Sequence, residues 1–233
     1  MIRRPPRSTQ SRSSAASDVY KRQQLAEMES WASSHSTFSK SFPSRVINNL
    51  YFDDLEFSSV KDNLSGIAKR KKYRLRWYGD SKDAAKPVFE IKGRSDRLGF
   101  KKSFNIESLN NIVTETNSND ILDLCISSLN KENFFIDQHL APTLQVVYKR
   151  SYYQNHDDIR LTIDNDINFA LPLMYQEFNQ NILRPYPVKI LEIKFDPSKK
   201  DLVSSLLQSL HLRPKRHSKY LAGLAVLGMA NYV

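Results

Sequence analysis

Several segments of this chain alternate apolar and charged residues with a period of two, and their charged positions are mostly basic. Residues 70–78 read RKKYRLRWY, so Tyr73, Leu75 and Trp77 alternate with lysine and arginine. The same alternation recurs at 89–92 (FEIK), 159–164 (IRLTID) and 191–195 (LEIKF). Successive side chains of a β-strand point to opposite faces of the sheet. Each of these segments therefore predicts a strand with one apolar face and one charged face.

Two arrangements give this alternation: a sheet whose charged face lies in water, or a barrel whose interior holds the charges while helices cover the outside. The charged faces recur on four strands and consist mainly of arginine and lysine, whereas an ordinary solvent face mixes signs and uses Ser, Thr and Gln. A dehydrated cationic interior needs a polyanion or water to compensate it. We therefore expect an α+β fold with a closed or nearly closed antiparallel β-barrel and flanking helices.

The period of the apolar residues also places the elements along the chain. Strands are predicted at Arg45–Asp53, Lys69–Tyr78, Val88–Lys92, Phe100–Ile106, Leu144–Tyr153, Ile159–Asp164 and Lys189–Phe195. Helical spacing predicts helices at Asp120–Asn130 and Lys199–Leu210. No internal repeat and no long linker divides residues 24–233, so they are expected to form one domain.

Residues 1–23 differ from the rest of the chain. They are rich in Ser and Arg and have no apolar periodicity, which predicts a disordered basic segment without packed contacts. They also resemble translated sequencing-adapter read-through, so we expect them to be non-native and exclude them from the fold argument.

The formal net charge of +10 does not by itself indicate a polyanion ligand. Residues 1–23 contain six basic residues and one acidic residue, a net charge of +5, and the remaining 29 basic and 24 acidic residues also give +5. The body of the protein is thus only mildly basic. An anion site must come from the clustering of cations on one face.

The single cysteine, Cys125, excludes an internal disulfide and a cysteine-based zinc site. It lies within an apolar helical pattern and is expected to be a buried structural thiol. The longest apolar run, Leu221–Ala230, is about half of the ~20 residues that a membrane-spanning helix needs. The N-terminus lacks the apolar segment of a signal peptide, and we expect a cytoplasmic protein.

Seven motifs, in order, resemble the VTC (vacuolar transporter chaperone) polyphosphate polymerase domain, a member of the triphosphate tunnel metalloenzymes within the CYTH-like superfamily. They are PSRVINNLYFDD at 43–54, RKKYRLRWYG at 70–79, FEIKGRSDRLGFKKSF at 89–104, VVYKRSYY at 146–153, DIRLTID at 158–164, ILEIKF at 190–195 and RHSKYLAGL at 216–224. One such motif carries little information, but the ordered set spans most of the body.

The resemblance implies a role for each matching residue. Catalytic phosphate-binding positions are Arg74, Arg76, Lys92, Lys101, Arg150, Arg160 and Lys219. Substrate-binding positions are Tyr148 and Ser218, and Glu192 matches a ligand of Mn²⁺ or Mg²⁺. Lys101 is preferred to Lys102 because it lies on the opposite face from Phe100 and Phe104.

The resemblance also implies the reaction: transfer of the γ-phosphate of ATP to a growing inorganic polyphosphate chain, with release of ADP. A tripolyphosphate or nucleoside-triphosphate hydrolase on the same scaffold is an alternative, and a non-catalytic polyanion-binding module is another. Nucleic acid is not expected as a partner. Proteins that bind it usually place aromatic residues among basic ones on an exposed face, whereas Trp77 lies on the apolar face opposite the arginines. The sequence does not decide whether a larger membrane-associated complex surrounds the domain.

Three acidic or histidine side chains near these motifs are expected to lie outside the site. Asp164 and Asp166 in the DNDI sequence are typical of a turn, and His217 beside Arg216 is expected at the surface. The family also implies a first strand with an E-x-K-like element ahead of Gln24, where residues 1–23 stand. The barrel is therefore expected to lack one strand and one Lys or Glu ligand.

Overall fold

The computed structural model describes residues 14–20, 30–31, 38–79, 86–95, 98–136, 139–173, 176–208 and 217–229. The described strands are β1 (Ser14–Tyr20), β2 (Phe38–Asp53), β3 (Arg70–Tyr78), β4 (Val88–Ser95), β5 (Leu98–Asn105), β6 (Ala141–Asn155), β7 (Arg160–Ala170), β8 (Arg184–Tyr186) and β9 (Lys189–Phe195). The helices are α1 (Ser58–Leu64), α2 (Ser118–Lys131), α3 (Lys200–Gln208) and α4 (Lys219–Val226). All seven predicted strands and both predicted helices are present, although the end of the second helix lies outside the described residues.

The nine strands form one antiparallel sheet in the order β1-β9-β7-β6-β2-β3-β4-β5, with β8 beside β7. The sheet is not closed, because β1 and β5 stand at its two ends and do not pair with each other within the described part of the chain. The expected antiparallel strands and flanking helices are confirmed, but the expected closure into a barrel is wrong. Alternation of residue types reports which face is buried, but it carries no information on whether the first and last strands meet.

The open sheet is nevertheless curved. Lys92 of β4 is separated from Glu192 of β9 by five strand spacings, which would be about 24 Å in a flat sheet. Yet Glu192 and Lys194 act electrostatically on the pKa of Lys92. Lys92 on β4 and Glu192 on β9 therefore lie on facing parts of one concave surface, which we call the interior face.

Two apolar clusters lie on the opposite, convex face. One contains Leu75, Trp77 and Phe89 together with Cys125 of α2, and all four are fully buried. The other contains Leu161, Ile163 and Ile193 together with Val203 of α3. Each fully buried side chain of this kind contributes roughly 1.5–3 kcal/mol. The prediction that helices cover the apolar face is confirmed, as is the buried position of Cys125.

A third apolar cluster lies on the interior face, beneath α4. Leu144, Val146 and Phe169 pack there against Leu224 of α4. Gly223 allows this close approach, because a Cβ at that position would stand 2.6 Å from Leu144 Cδ2 and 2.8 Å from Phe169 Cδ1. The interior face is therefore partly apolar. The N-terminus of α4 places Ser218 and Lys219 beside the charged residues of this face.

The N-terminal segment differs from the expectation of disorder. Ser14–Tyr20 form β1, which pairs antiparallel with the whole of β9. Such a ladder uses main-chain hydrogen bonds, so it does not require the apolar periodicity that the segment lacks. The edge of β9 is occupied where a strand was expected to be missing. Residues 1–13 and 21–23 lie outside the described residues, and the adapter origin of 1–23 stays a prediction.

Candidate functional site

The register of the strands places the predicted cations on one face. Arg74 is paired with Tyr51 and Glu90, and Lys92 is paired with Lys72 and Lys101. Residues paired across an antiparallel ladder point to the same side. On the other half of the sheet, the rows Arg150–Asp164, Thr162–Glu192 and Arg160–Lys194 share that side.

Glu90 is the centre of the first group of charges. Its carboxylate accepts a hydrogen bond from Arg74 Nε at 2.6 Å and lies 2.5 Å from Lys101 Nζ and 3.6 Å from Arg76 Nη2. Burial would raise the pKa of Glu90, but Arg74, Arg76 and Lys101 outweigh it and lower the pKa from 4.5 to about 2. Glu90 was not among the predicted site residues, although it is the first residue of an EIK motif and points to the charged side.

The lowered pKa of Glu90 predicts acid sensitivity. Because the folded pKa lies below the unfolded value, Glu90 stabilises the fold above about pH 4.5, and this contribution is lost as the pH falls toward 2. A shift of this size corresponds to roughly 3 kcal/mol. In denaturant titrations between pH 6 and pH 3, we expect Glu90→Gln to lose less unfolding free energy than the wild type.

The exposed Glu107 provides the matched control. Glu107→Gln should keep the wild-type dependence of unfolding free energy on pH. If Glu90→Gln and the wild type showed the same pH dependence, Glu90 would not be the titrating group and its ion pairs would be weaker than their distances indicate.

Asp164 is the centre of the second group of charges. It has no exposed surface and accepts two hydrogen bonds from Arg150, from Nε at 2.5 Å and from Nη2 at 2.8 Å. Lys219 Nζ lies 2.5 Å from Asp164 Oδ2, the oxygen that also accepts from Arg150 Nη2. Burial opposes ionisation, but Lys219 and Arg150 lower the pKa of Asp164. The turn expected at Asp164 is wrong, because the residue lies inside β7.

The local irregularity occurs two residues later. Asp166 has a φ of 51°, and the register between β6 and β7 shifts between Val147 and Lys149. This combination is a β-bulge, in which a short polar side chain tolerates the left-handed conformation. The DNDI sequence thus encodes a bulge within a continuous strand.

Tyr148 and Ser218 support the cations of this second group. The Tyr148 ring is buried, with Lys219 Nζ 4.7 Å and the Arg150 guanidinium carbon 5.4 Å from its centroid. Ser218 is the N-cap of α4, and its Oγ accepts a hydrogen bond from the Leu221 amide at 3.5 Å. The cap fixes the start of the helix and therefore the position of Lys219. Direct contact of Tyr148 and Ser218 with substrate stays a prediction.

Glu192 is held less tightly than the other two acids. Its carboxylate lies 3.4 Å from Lys194 Nζ and 3.7 Å from Arg150 Nη2, and its side chain is 20% exposed. Burial opposes ionisation, but Lys194 and Arg150 lower its pKa and keep it charged at neutral pH. Of the interior acids described above, Glu192 has no ion pair shorter than 3.4 Å, so its oxygen atoms are the least engaged and the most able to bind a further cation.

A divalent ion fits this position only with help from a substrate. Within the described residues there is no group of three His, Cys, Asp or Glu side chains that could hold a metal, and Asp164 is already bonded to Arg150 and Lys219. Mg²⁺ commonly takes one or two carboxylates, with water and phosphate oxygens completing its coordination. Glu192 is suited to a site of that kind.

Among the interior cations, Lys72, Lys92 and Arg160 have no ion-pair partner within the described residues. Burial lowers the pKa of Lys72, and the neighbouring cations Arg70 and Lys92 add to the effect. Burial and Arg74 lower the pKa of Lys92 in the same way. Like charges held this close favour a bound anion. Lys72 was missed as a site residue, although its alternation with Tyr73 placed it on the charged face.

His217 does not lie free on the surface as expected. It is half-buried, stacks on Tyr186 at a centroid distance of 6.5 Å and has an Nε2 atom without a hydrogen-bond partner in the described structure. Burial, together with Lys219, lowers its pKa to about 4, so the ring is neutral at pH 7. Tyr186 belongs to β8, a strand that was not predicted from the sequence.

The fold is shared with solved structures that have little sequence in common with this chain. The putative adenylyl cyclase HpAC1 from Hippeastrum, described as having a dominant triphosphatase activity, matches with a TM-score of 0.54 and 13% identity, covering 94% of this chain and 97% of the other. The PH1819 protein of Pyrococcus horikoshii OT3 matches with a TM-score of 0.50 and 12% identity, covering 92% of this chain and 99% of the other. These similarities show a common fold.

A curated relative is similar in sequence. Subunit 2 of the vacuolar transporter chaperone complex of Saccharomyces cerevisiae is 25% identical over an alignment of 266 positions, and this alignment includes 89% of this chain. The match spans 32% of the yeast protein, so this chain corresponds to about a third of its length. In the described part of the chain, no helix has the length and hydropathy needed to cross a membrane.

The family model of the VTC domain matches residues 14–228. The match begins at the first residue of β1 and ends just after α4, so it includes the whole sheet and both groups of interior charges. Because it spans most of the sequence, the chain belongs to the VTC domain family.

Proposed function

We propose that this domain is a metal-dependent polyphosphate polymerase that transfers the γ-phosphate of ATP to a growing inorganic polyphosphate chain. The main support is the interior face itself, on which Lys72, Lys92 and Arg160 form no ion pair with any described residue and lie beside two groups of charges in which cations outnumber acids. A linear polyanion is the class of ligand that compensates a row of cations.

In the proposed reaction, a terminal oxygen of the polyphosphate chain attacks the γ-phosphorus of ATP. The bond from the γ-phosphorus to the bridging oxygen breaks, and ADP leaves with that oxygen. This chemistry needs positioning and charge neutralisation more than covalent help from the protein. Arg74 and Arg76 offer fixed guanidinium forks to phosphate oxygens, and Lys92 offers a mobile point charge.

A divalent cation, when bound, would neutralise charge that develops on the phosphates. Glu192 would hold it, and Arg150 and Lys219 would orient the phosphates on the same side. Buried Asp164 keeps both of these cations in place through its hydrogen bonds and ion pair. Its role is positioning, because its oxygen atoms are already used.

A triphosphate hydrolase is the second candidate. The Hippeastrum protein with the same fold is described as having triphosphatase activity, and the same charges would serve an attack by water. The name of the yeast relative refers to a complex, and we propose that this chain is likewise one domain of a longer protein in such an assembly.

The test is incubation of the protein with ATP and Mn²⁺ or Mg²⁺, with polyphosphate and free phosphate both measured. We expect polyphosphate and ADP to form together. Arg160→Gln should lower the yield because it removes a phosphate-binding charge, and it breaks no ion pair with any described residue. Lys131→Gln, at an exposed position of α2 on the convex side, should not lower it. Free phosphate without polymer would favour the hydrolase, and binding without turnover would favour a non-catalytic module.

A further inference from the structure

A cluster of aromatic side chains lies at one end of the interior face. Phe42 is 55% exposed and Tyr78 is 40% exposed. The Arg45 guanidinium lies between them, 5.7 Å from the Phe42 ring centroid and 5.9 Å from that of Tyr78. Tyr152 meets Phe42 edge to face at a centroid distance of 5.9 Å. Large exposed rings gathered at one place are typical of a binding surface.

The strand geometry explains why these residues converge. The register between β2 and β6 shifts between Phe42 and Arg45, where Pro43 cannot donate a ladder hydrogen bond. The irregularity allows Phe42 and Arg45, three residues apart, to reach the same side. Phe42 is paired with Tyr152 across the ladder.

This cluster continues the row of phosphate-binding cations. Tyr78 follows Arg76 by two residues, and Tyr152 follows Arg150 by two residues. Each pair is therefore on one face and about 7 Å apart along its strand. Arg45 is itself paired with Arg150 across the ladder, so the rings begin one step beyond the predicted phosphate contacts.

We propose that Phe42, Arg45, Tyr78 and Tyr152 form a platform that stacks on the nucleobase of a nucleoside triphosphate whose phosphates lie on the interior face. Bases stack on aromatic rings and on arginine side chains. An inorganic triphosphate would use only the cations, whereas ATP would use the cations and the rings. The platform thus gives a physical basis for preferring ATP to tripolyphosphate, and it rests on the proposed function in taking ATP as the donor.

The test is equilibrium binding of ATP and of inorganic tripolyphosphate, by calorimetry at one fixed ionic strength with the same divalent ion. Removing a stacked ring costs roughly 5- to 100-fold in affinity. We expect Tyr78→Ala and Phe42→Ala to weaken ATP binding by about that factor and to leave tripolyphosphate binding within twofold. Tyr78→Phe keeps the ring and should keep ATP affinity. Phe135→Ala, at a ring that is 72% exposed and outside the cluster, should change neither ligand.

Equal losses for both ligands, or no loss for ATP in either alanine variant, would overturn the platform. In the second case, polyphosphate synthesis by the same variants would leave the proposed polymerase intact. The polymerase can also fail while the platform holds. ATP binding that depends on the rings, with no polymer formed from ATP, would support the platform and overturn only the polymerase.

Discussion

Replacement of Asp164 by alanine is expected to destabilise the protein by about 3–5 kcal/mol, which is the usual cost of removing one member of a buried ion pair. The variant leaves Arg150 and Lys219 facing each other, with side-chain exposures of 11% and 14%. In a protein of this size, a loss of this magnitude lowers the Tm by on the order of 10 °C. Thermal and denaturant unfolding of the two proteins at pH 7 measure the effect.

Two comparisons show whether charge is the cause. Asp123→Ala, at an exposed position of α2, should change the unfolding free energy by less than about 0.5 kcal/mol. Tripolyphosphate should raise the Tm of Asp164→Ala more than that of the wild type, because an added anion can compensate Arg150 and Lys219. A variant that unfolds like the wild type would show that water already stabilises these two cations.

The sequence predicted the side of the sheet on which each charge lies. The alternation of side chains along the strand predicted that Lys101 points to the interior face and Lys102 to the opposite one. In the structure Lys101 contacts Glu90, whereas Lys102 lies 4.5 Å from the Phe134 ring centroid on the other face. The same alternation predicted that Trp77 lies on the apolar face, and it is fully buried there. Such predictions succeed because a strand has a fixed period and a one-residue slip would bury every charge.

The sequence could not show which charges are neutralised within the protein. Glu90 and Glu192 are both the first residues of EIK motifs. Glu90 lies 2.6 and 2.5 Å from Arg74 and Lys101 and has Arg76 at 3.6 Å, whereas the two cations beside Glu192 lie at 3.4 and 3.7 Å. That difference depends on the pairing of distant strands. The position of α4 was not predicted, for the same reason. Its short apolar run is typical of any buried helix, and only the folded structure places Gly223 against Leu144 and Phe169.

Replacement of Glu192 by alanine is expected to abolish polyphosphate synthesis while changing stability much less than Asp164→Ala. The longer distances of Glu192 to Lys194 and Arg150, 3.4 and 3.7 Å, and its partial exposure correspond to ion pairs worth about 0–1 kcal/mol. A carboxylate that holds a divalent ion supports several kcal/mol of charge stabilisation in phosphoryl transfer. Its loss should therefore lower the rate by about 100-fold or more.

The measurement pairs the Tm of Glu192→Ala with its yield of polyphosphate from ATP and Mn²⁺. Glu192→Asp keeps a carboxylate and should regain part of the activity, whereas Glu132→Ala, at an exposed position after α2, should leave activity and Tm unchanged. If Glu192 served only as a partner of Lys194 and Arg150, its removal would lower the Tm and spare the chemistry. A variant that melts early and keeps full specific activity at low temperature would therefore exclude the metal-binding role, because the ion would then have to be held without this carboxylate.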